Sequence, residues 1–189
     1  MKGMMSFRQF MANENTKGHY DYSSLMVRLP ETLSDNIISW GFDHLPNEII
    51  FTDPEDPSFG REDDIHITVI YGLHTDSIKD VSPLFSSEKQ FECTLGKIAM
   101  FTKNDKFDVL IVEVECDKLH KLNDRMQKSL QATVNHPVYV PHVTIAYLKK
   151  GTGKKYVGNE FFKGEKFDVS EIVFSAKTGS KKPIKLGVS

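Results

Sequence analysis

A chain of 189 residues, 39% hydrophobic and 26% charged, has the length and apolar content of one domain with a substantial core. No run reaches the ~18 apolar residues of a membrane span, no charged-then-apolar leader opens the chain, and two cysteines are too few for a disulfide framework. The expected compartment is therefore the cytoplasm (the host's, for a viral chain), and neither a membrane nor duplex DNA is an expected partner. The net charge of −2 conceals an asymmetry: residues 149–189 hold ten Lys and four Asp/Glu, a balance of +6, so the first 148 carry −8. A basic end without arginine suits a small phosphate-rich molecule better than a long nucleic acid.

Phe7, Phe10 and Met11 recur at helical spacing ahead of a polar stretch, so residues 1–18 read as an N-terminal arm and 19–189 as the domain. Tyr20–Leu29 reads as a strand closed by Pro30, followed by a helix over Glu31–Trp40 ended by Gly41. Glu48–Phe51 is a short strand candidate. Thr52–Asp64, with Pro54, Pro57, Gly60 and most of an acidic cluster, is a loop. Ile65–Leu73 is a strand, and Thr75 or Asp76 caps a short helix through Ile78, Val81 and Phe85. Phe91–Thr102 and Phe107–Glu115 form a hairpin around Asn104-Asp105, with a bulge near Gly96. Asp117 caps a helix whose Leu119, Leu122, Met126 and Leu130 share a face. Tyr139–Leu148 is a strand, Lys149–Gly158 a loop, Lys166–Ser175 a strand, and Thr178-Gly179 turns the chain into a last strand at Pro183–Leu186. The pattern predicts an α+β fold with mainly antiparallel sheets. Cys93 and Cys116 fall in strands as free thiols.

One phrase occurs twice, 76 residues apart: His66-Ile67-Thr68-Val69-Ile70-Tyr71 and His142-Val143-Thr144-Ile145-Ala146-Tyr147. Side chains alternate along a strand, so each copy turns one imidazole and one hydroxyl to one face and two β-branched residues to the other. Two copies facing each other would surround a small anion with two histidines and two hydroxyl donors. Asp64, two residues before His66, shares the imidazole's face, whereas Val140 holds the matching place before His142. By regular alternation Tyr71 and Tyr147 face away from the histidines, towards the core. There is no His-Glu-X-X-His and no Cys/His cluster, so no metal site is expected.

These motifs resemble the signature of the 2H phosphoesterase superfamily, over residues ~20–187. That superfamily includes RNA cyclic phosphodiesterases, 2′-5′ RNA ligase-like proteins and trimmers of RNA 3′ ends. It also includes viral enzymes that cut 2′-5′ oligoadenylates or cyclic oligonucleotides, the phage anti-CBASS phosphodiesterases among them. The resemblance implies a bilobal body with flanking helices, one His-X-Thr strand per lobe lining a central cleft. It implies a catalytic set of His66, Thr68, His142 and Thr144, with no metal or cofactor.

The chemistry is consistent with that set. Cleaving a phosphodiester needs a base, an acid and donors to the non-bridging oxygens, and histidine serves either of the first two roles near neutral pH. Tyr20, Tyr22, Phe59, Trp40 and Tyr139 are candidates for stacking on a base, and Lys149, Lys150 and Lys177 for a second phosphate; Tyr20, Tyr139, Lys149 and Lys177 are the expected substrate contacts. A small nucleotide is the expected substrate: a cyclic oligonucleotide, a 2′-5′ oligonucleotide or a 2′,3′-cyclic phosphate. The alternatives are processing of RNA ends, or a sponge or sensor that binds a cyclic nucleotide without cutting it. Nothing in the pattern sets an oligomeric state.

Overall fold

The computed structural model describes residues 20–134, 136 and 138–188. The N-terminal arm expected over 1–18 lies outside them. The elements are β1 (Ser23–Arg28), α1 (Glu31–His44), β2 (His66–Leu73), α2 (Ile78–Val81), β3 (Phe91–Phe101), β4 (Phe107–Glu115), α3 (Asp117–Ser129), β5 (His142–Lys149), β6 (Lys166–Val169), β7 (Glu171–Ser175) and β8 (Lys181–Lys185). All eight strands join one antiparallel sheet in the order β6-β3-β4-β5-β2-β1-β7-β8. The expected α+β class holds, but there is one curled sheet where two were expected. It consists of two four-stranded halves, each ending in a motif strand, and β2 meets β5 through Ile67 and Val143.

Several elements differ from expectation for identifiable reasons. α1 runs through Gly41 rather than stopping at it: a Cβ there would sit 3.3 Å from Ile145 Cγ2, so this glycine permits close packing on β5. The helix ends three residues later, where Arg61, the single arginine of the acidic loop, donates to the carbonyls of Gly41 and Leu45. Ser77, not Thr75 or Asp76, caps α2, accepting from Lys79 N at 3.3 Å. Glu48–Phe51 is a turn of 3-10 helix over Asn47–Ile49, followed by a single bridge from Ile50 to Leu148. The expected strand Lys166–Ser175 is two strands, β6 beside β3 and β7 beside β1, with only Ser170 between them. Composition cannot reveal that break, because alternation continues across it.

The main core lies on the sheet face that α1 and α3 cover. Ile37 and Trp40 of α1 and Leu119, Leu122 and Met126 of α3 join Leu25, Val27, Ile67, Val69, Val143 and Ile145 there. Full burial of such side chains contributes about 1.5–3 kcal/mol each, so the β-branched residues of both motifs fix which way the strands face. The opposite face is the one the histidines occupy. It carries a separate small cluster of Phe59, Phe107, Val109, Ile111 and Tyr147, with Phe51, Ala99 and Phe101 packed on it.

Candidate active site

The single register point between β2 and β5 determines the site. Ile67 pairs with Val143 in an antiparallel ladder, and continuing that register sets His66 opposite Thr144 and Thr68 opposite His142. Histidine and threonine thus alternate around a square, on the face away from the helices. Outward from it, Arg28 of β1 lies opposite His66 and Met26 opposite Thr68. On the other side, Glu113 of β4 lies opposite His142 and Ile111 opposite Thr144.

Both imidazoles are held in the same way. His66 Nδ1 donates to the carbonyl of Asp64 at 2.5 Å, and His142 Nδ1 donates to the carbonyl of Val140 at 2.7 Å. A carbonyl can only accept, so each Nδ1 carries a proton, and Nε2 is the atom left for chemistry. The asymmetry expected from Asp64 against Val140 is absent at this level, because the backbone of each does the orienting. Neither Thr68 nor Thr144 spends its hydroxyl on a protein partner among the described residues. The register therefore brings two imidazoles, each with Nε2 not held by the backbone, and two threonine hydroxyls to one face, and all four residues are partly exposed.

The two halves differ in their surroundings. The Phe101 ring meets His142 edge-on at 4.8 Å between centroids. Burial, followed by the neighbouring His66 and His136, pushes the pKa of His142 down to about 4, against the opposing pull of the Val140 carbonyl. On the His66 side, burial raises the Asp64 carboxyl, but the hydrogen bond and charge of Lys181, with His66 and Arg28, outweigh it and leave the group below its ordinary value. Asp64 pairs with Lys181 from β8 and stands 3.5 Å from Arg28.

Tyr71 and Tyr147 do not face away from the histidines. Leu25 pairs with Ile70 while Met26 pairs with Thr68, and Leu110 pairs with Ala146 while Ile111 pairs with Thr144. Each motif therefore carries a one-residue bulge straight after its threonine, at Val69 and Ile145. Two consecutive residues turn to the core (Val69-Ile70, Ile145-Ala146), and both tyrosines return to the site face. The doubled apolar pair after each threonine is the sequence trace of this.

Of the expected substrate contacts, none stands beside the square in the manner foreseen. Tyr139 donates its hydroxyl to the carbonyl of Thr68 at 2.9 Å and packs against the main core, so it braces β2 rather than offering a stacking face. Tyr20 and Lys177 lie together, Tyr20 N donating to Lys177 O at 2.6 Å, ahead of β1 and past the end of β7, away from the Met26–Thr68 pair. Lys149 ends β5, roughly 16 Å from Thr144. Lys150 donates to Thr102 O, Asn104 O and Asp108 Oδ1 at 2.5, 2.6 and 2.8 Å, and is occupied structurally. Trp40 is core, stacked on His44, and Tyr22 packs on Tyr71 and His74. Phe59 alone of the stacking candidates belongs to the site-face cluster. The residues that sequence reasoning missed are Arg28, Lys181, Phe101 and Glu113, which are legible only once strand pairing is known. Among the described residues no group of three or more His, Cys, Asp or Glu is placed to hold a metal ion, and no helix is long and apolar enough to cross a membrane.

The curled antiparallel sheet, here with two His-X-Thr strands meeting at its centre, is the fold of the 2H phosphoesterase superfamily. Solved structures with that fold match nearly the whole chain. E. coli LigT complexed with NADP+ aligns with a TM-score of 0.59 at 18% identity, covering 88% of this chain and 95% of LigT. TT0787 of Thermus thermophilus gives 0.58 at 13%, covering 87% and 95%, and Kluyveromyces marxianus Usb1 gives 0.57 at 11%, covering 88% and 98%. LigT has also been solved with 3′-AMP and with ATP. No curated protein sequence matches the chain. The chain belongs to the family of the anti-CBASS protein Acb1, whose pattern matches residues 57–177. Family and fold together support a phosphodiesterase of this superfamily.

Proposed function

We propose that the protein is a metal-independent phosphodiesterase that cuts a small nucleotide, with His66 and His142 as its acid–base pair and Thr68 and Thr144 holding the phosphate. The observation that carries this reading is the matched tautomer: both Nδ1 atoms are tied to carbonyls two residues upstream, and the register sets each imidazole beside a threonine whose hydroxyl has no partner among the described residues. One Nε2 takes the proton of the attacking hydroxyl, from water or a neighbouring ribose, as its oxygen bonds to phosphorus. The other Nε2 gives its proton to the ribose oxygen as the old P–O bond breaks. The threonine hydroxyls donate to the non-bridging oxygens while charge builds on them. These four side chains provide every group the step requires.

His142 is the base. Its surroundings keep it uncharged near neutral pH, with a lone pair on Nε2. His66, the other imidazole of the square, is then the proton donor, an assignment that rests on His142. Membership in an anti-CBASS family favours a cyclic oligonucleotide over RNA ends as the substrate. A binding-only role is disfavoured, because holding an anion does not require two imidazoles with matched free nitrogens.

The test is a panel incubated with the protein in excess EDTA and read by mass spectrometry: 2′,3′-cyclic mononucleotides, 2′-5′ and 3′-5′ oligonucleotides, and cyclic di- and trinucleotides. Cleavage of at least one member is expected, with the cyclic oligonucleotides cut fastest. Ligand that co-elutes with the protein intact, with no product from any member, would favour the sponge instead.

A further inference from the structure

We propose that Arg28 and Lys181 form an anion subsite beside His66 that takes a second phosphate of the substrate, so that the enzyme selects nucleotides bearing two phosphates. The inference rests on the phosphodiesterase reading for where the first phosphate sits.

Register sets both cations on the face of the square. Arg28 pairs directly with His66 across β1–β2. Lys181 pairs with Ser175, Ser175 with Ser24, and Ser24 with Tyr71, which places it on the same face at the outer strand. Its ammonium nevertheless meets the Asp64 carboxylate, next to the residue whose carbonyl orients His66. On the opposite flank the strand next to the square presents Glu113 beside His142 and Ile111 beside Thr144, and neither is a cation. Arg28 and Lys181 thus bring positive charge to the His66 side of the square.

Asp64 does not exhaust these cations. Two positive groups face the single Asp64 carboxylate. Arg28 stands 3.5 Å from Asp64, longer than an ordinary hydrogen bond, and its side chain is 49% exposed. A guanidinium has five donors in a fixed fork that matches phosphate oxygens, and Lys181 retains two of its three N–H groups. Asp64 holds the pair together while the subsite is empty, so the cations are pre-positioned and little side-chain freedom is lost on binding. A mononucleotide with one phosphate fills the square and leaves this subsite empty. A cyclic or linear dinucleotide, or a nucleoside bisphosphate, fills both.

Two probes that differ by one phosphate test this by calorimetry without any turnover: adenosine 3′-monophosphate and adenosine 3′,5′-bisphosphate. The expected result is that the bisphosphate binds the wild-type protein about tenfold more tightly or better. Arg28→Gln and Lys181→Gln should each remove most of that advantage while leaving 3′-monophosphate affinity within about twofold, and Lys181→Arg should retain it. The subsite is overturned if the wild type gains nothing from the second phosphate, or if the glutamine variants weaken both probes equally. Failure of the catalytic reading would appear as intact substrate in the panel and would leave these affinity ratios unchanged.

Discussion

Replacing Phe101 with alanine should move the acid limb of the pH–rate profile towards neutrality. In kcat/KM that limb reports the base of the free enzyme, His142 in the proposed mechanism. An ordinary histidine has a pKa near 6.5 and would be about 90% protonated at pH 5.5. Held at about 4, His142 is only about 3% protonated at that pH, so the wild-type enzyme should keep almost all of its activity there. The Phe101 ring, its centroid 4.8 Å from that of the imidazole, excludes water from one side of it. If it accounts for half of the shift, the variant's limb moves to about pH 5, where about half its base is lost against about a tenth in the wild type. The same shift affects stability with a definite sign. The folded-state pKa is depressed, so the unfolded chain takes up the proton first, and stability present above pH 6.5 is lost as pH falls towards 4. The ceiling is about 3 kcal/mol, and partial exposure of the ring reduces it to about 1–2 kcal/mol. Initial rates from pH 4 to 8, with thermal melts over the same range, measure both. A wild-type limb near 6.5, or one that Phe101→Ala leaves in place, would refute the assignment of His142 as the desolvated base.

Three further substitutions separate structure from function. Tyr139→Phe removes the 2.9 Å bond to the Thr68 carbonyl; it should cost about 1 kcal/mol in urea unfolding and lower kcat more than it raises KM, because Thr68 loses its brace. Gly72→Ala should destabilise by about 3 kcal/mol or more, since φ is +94° and the new Cβ would fall 2.0 Å from the Thr133 carbonyl oxygen, and a shift in thermal midpoint reads it. Lys150→Met strands the buried Asp108 carboxylate with only the Gly151 N–H at 2.7 Å; a loss of about 2–4 kcal/mol in urea is expected with KM unchanged, whereas a raised KM would restore Lys150 as a substrate contact.

The pairing of the two motifs was legible because its signal is local. A histidine and a threonine two apart on a β-branched strand must share a face, and two such strands in one α+β chain imply a pair. The bulge predicted near Gly96 is present as the register shift between Leu95 and Ile98, since a glycine amid shifting apolar parity is itself a local mark. What escaped depends on partners distant in sequence. Arg28 belongs to the site only because β1 pairs with β2, and Lys181 only because β8 folds back beside β7. Regular alternation misassigned Tyr71 and Tyr147, because one inserted residue reverses parity. The lysines nearest the second motif looked suited to phosphate, yet Lys150 satisfies a turn and a buried aspartate instead. Charge counted along the chain does not report which cations share a face.

Single-turnover cleavage of the best substrate, in excess EDTA, by the wild type, His66→Ala and His142→Ala bears most directly on the two-histidine mechanism. Each substitution should slow the chemical step by about 10²–10⁴-fold while both proteins still bind ligand, and chelator should leave the wild-type rate unchanged. Near-wild-type cleavage by either variant, or a wild-type rate abolished by EDTA and restored by a divalent metal, would contradict it.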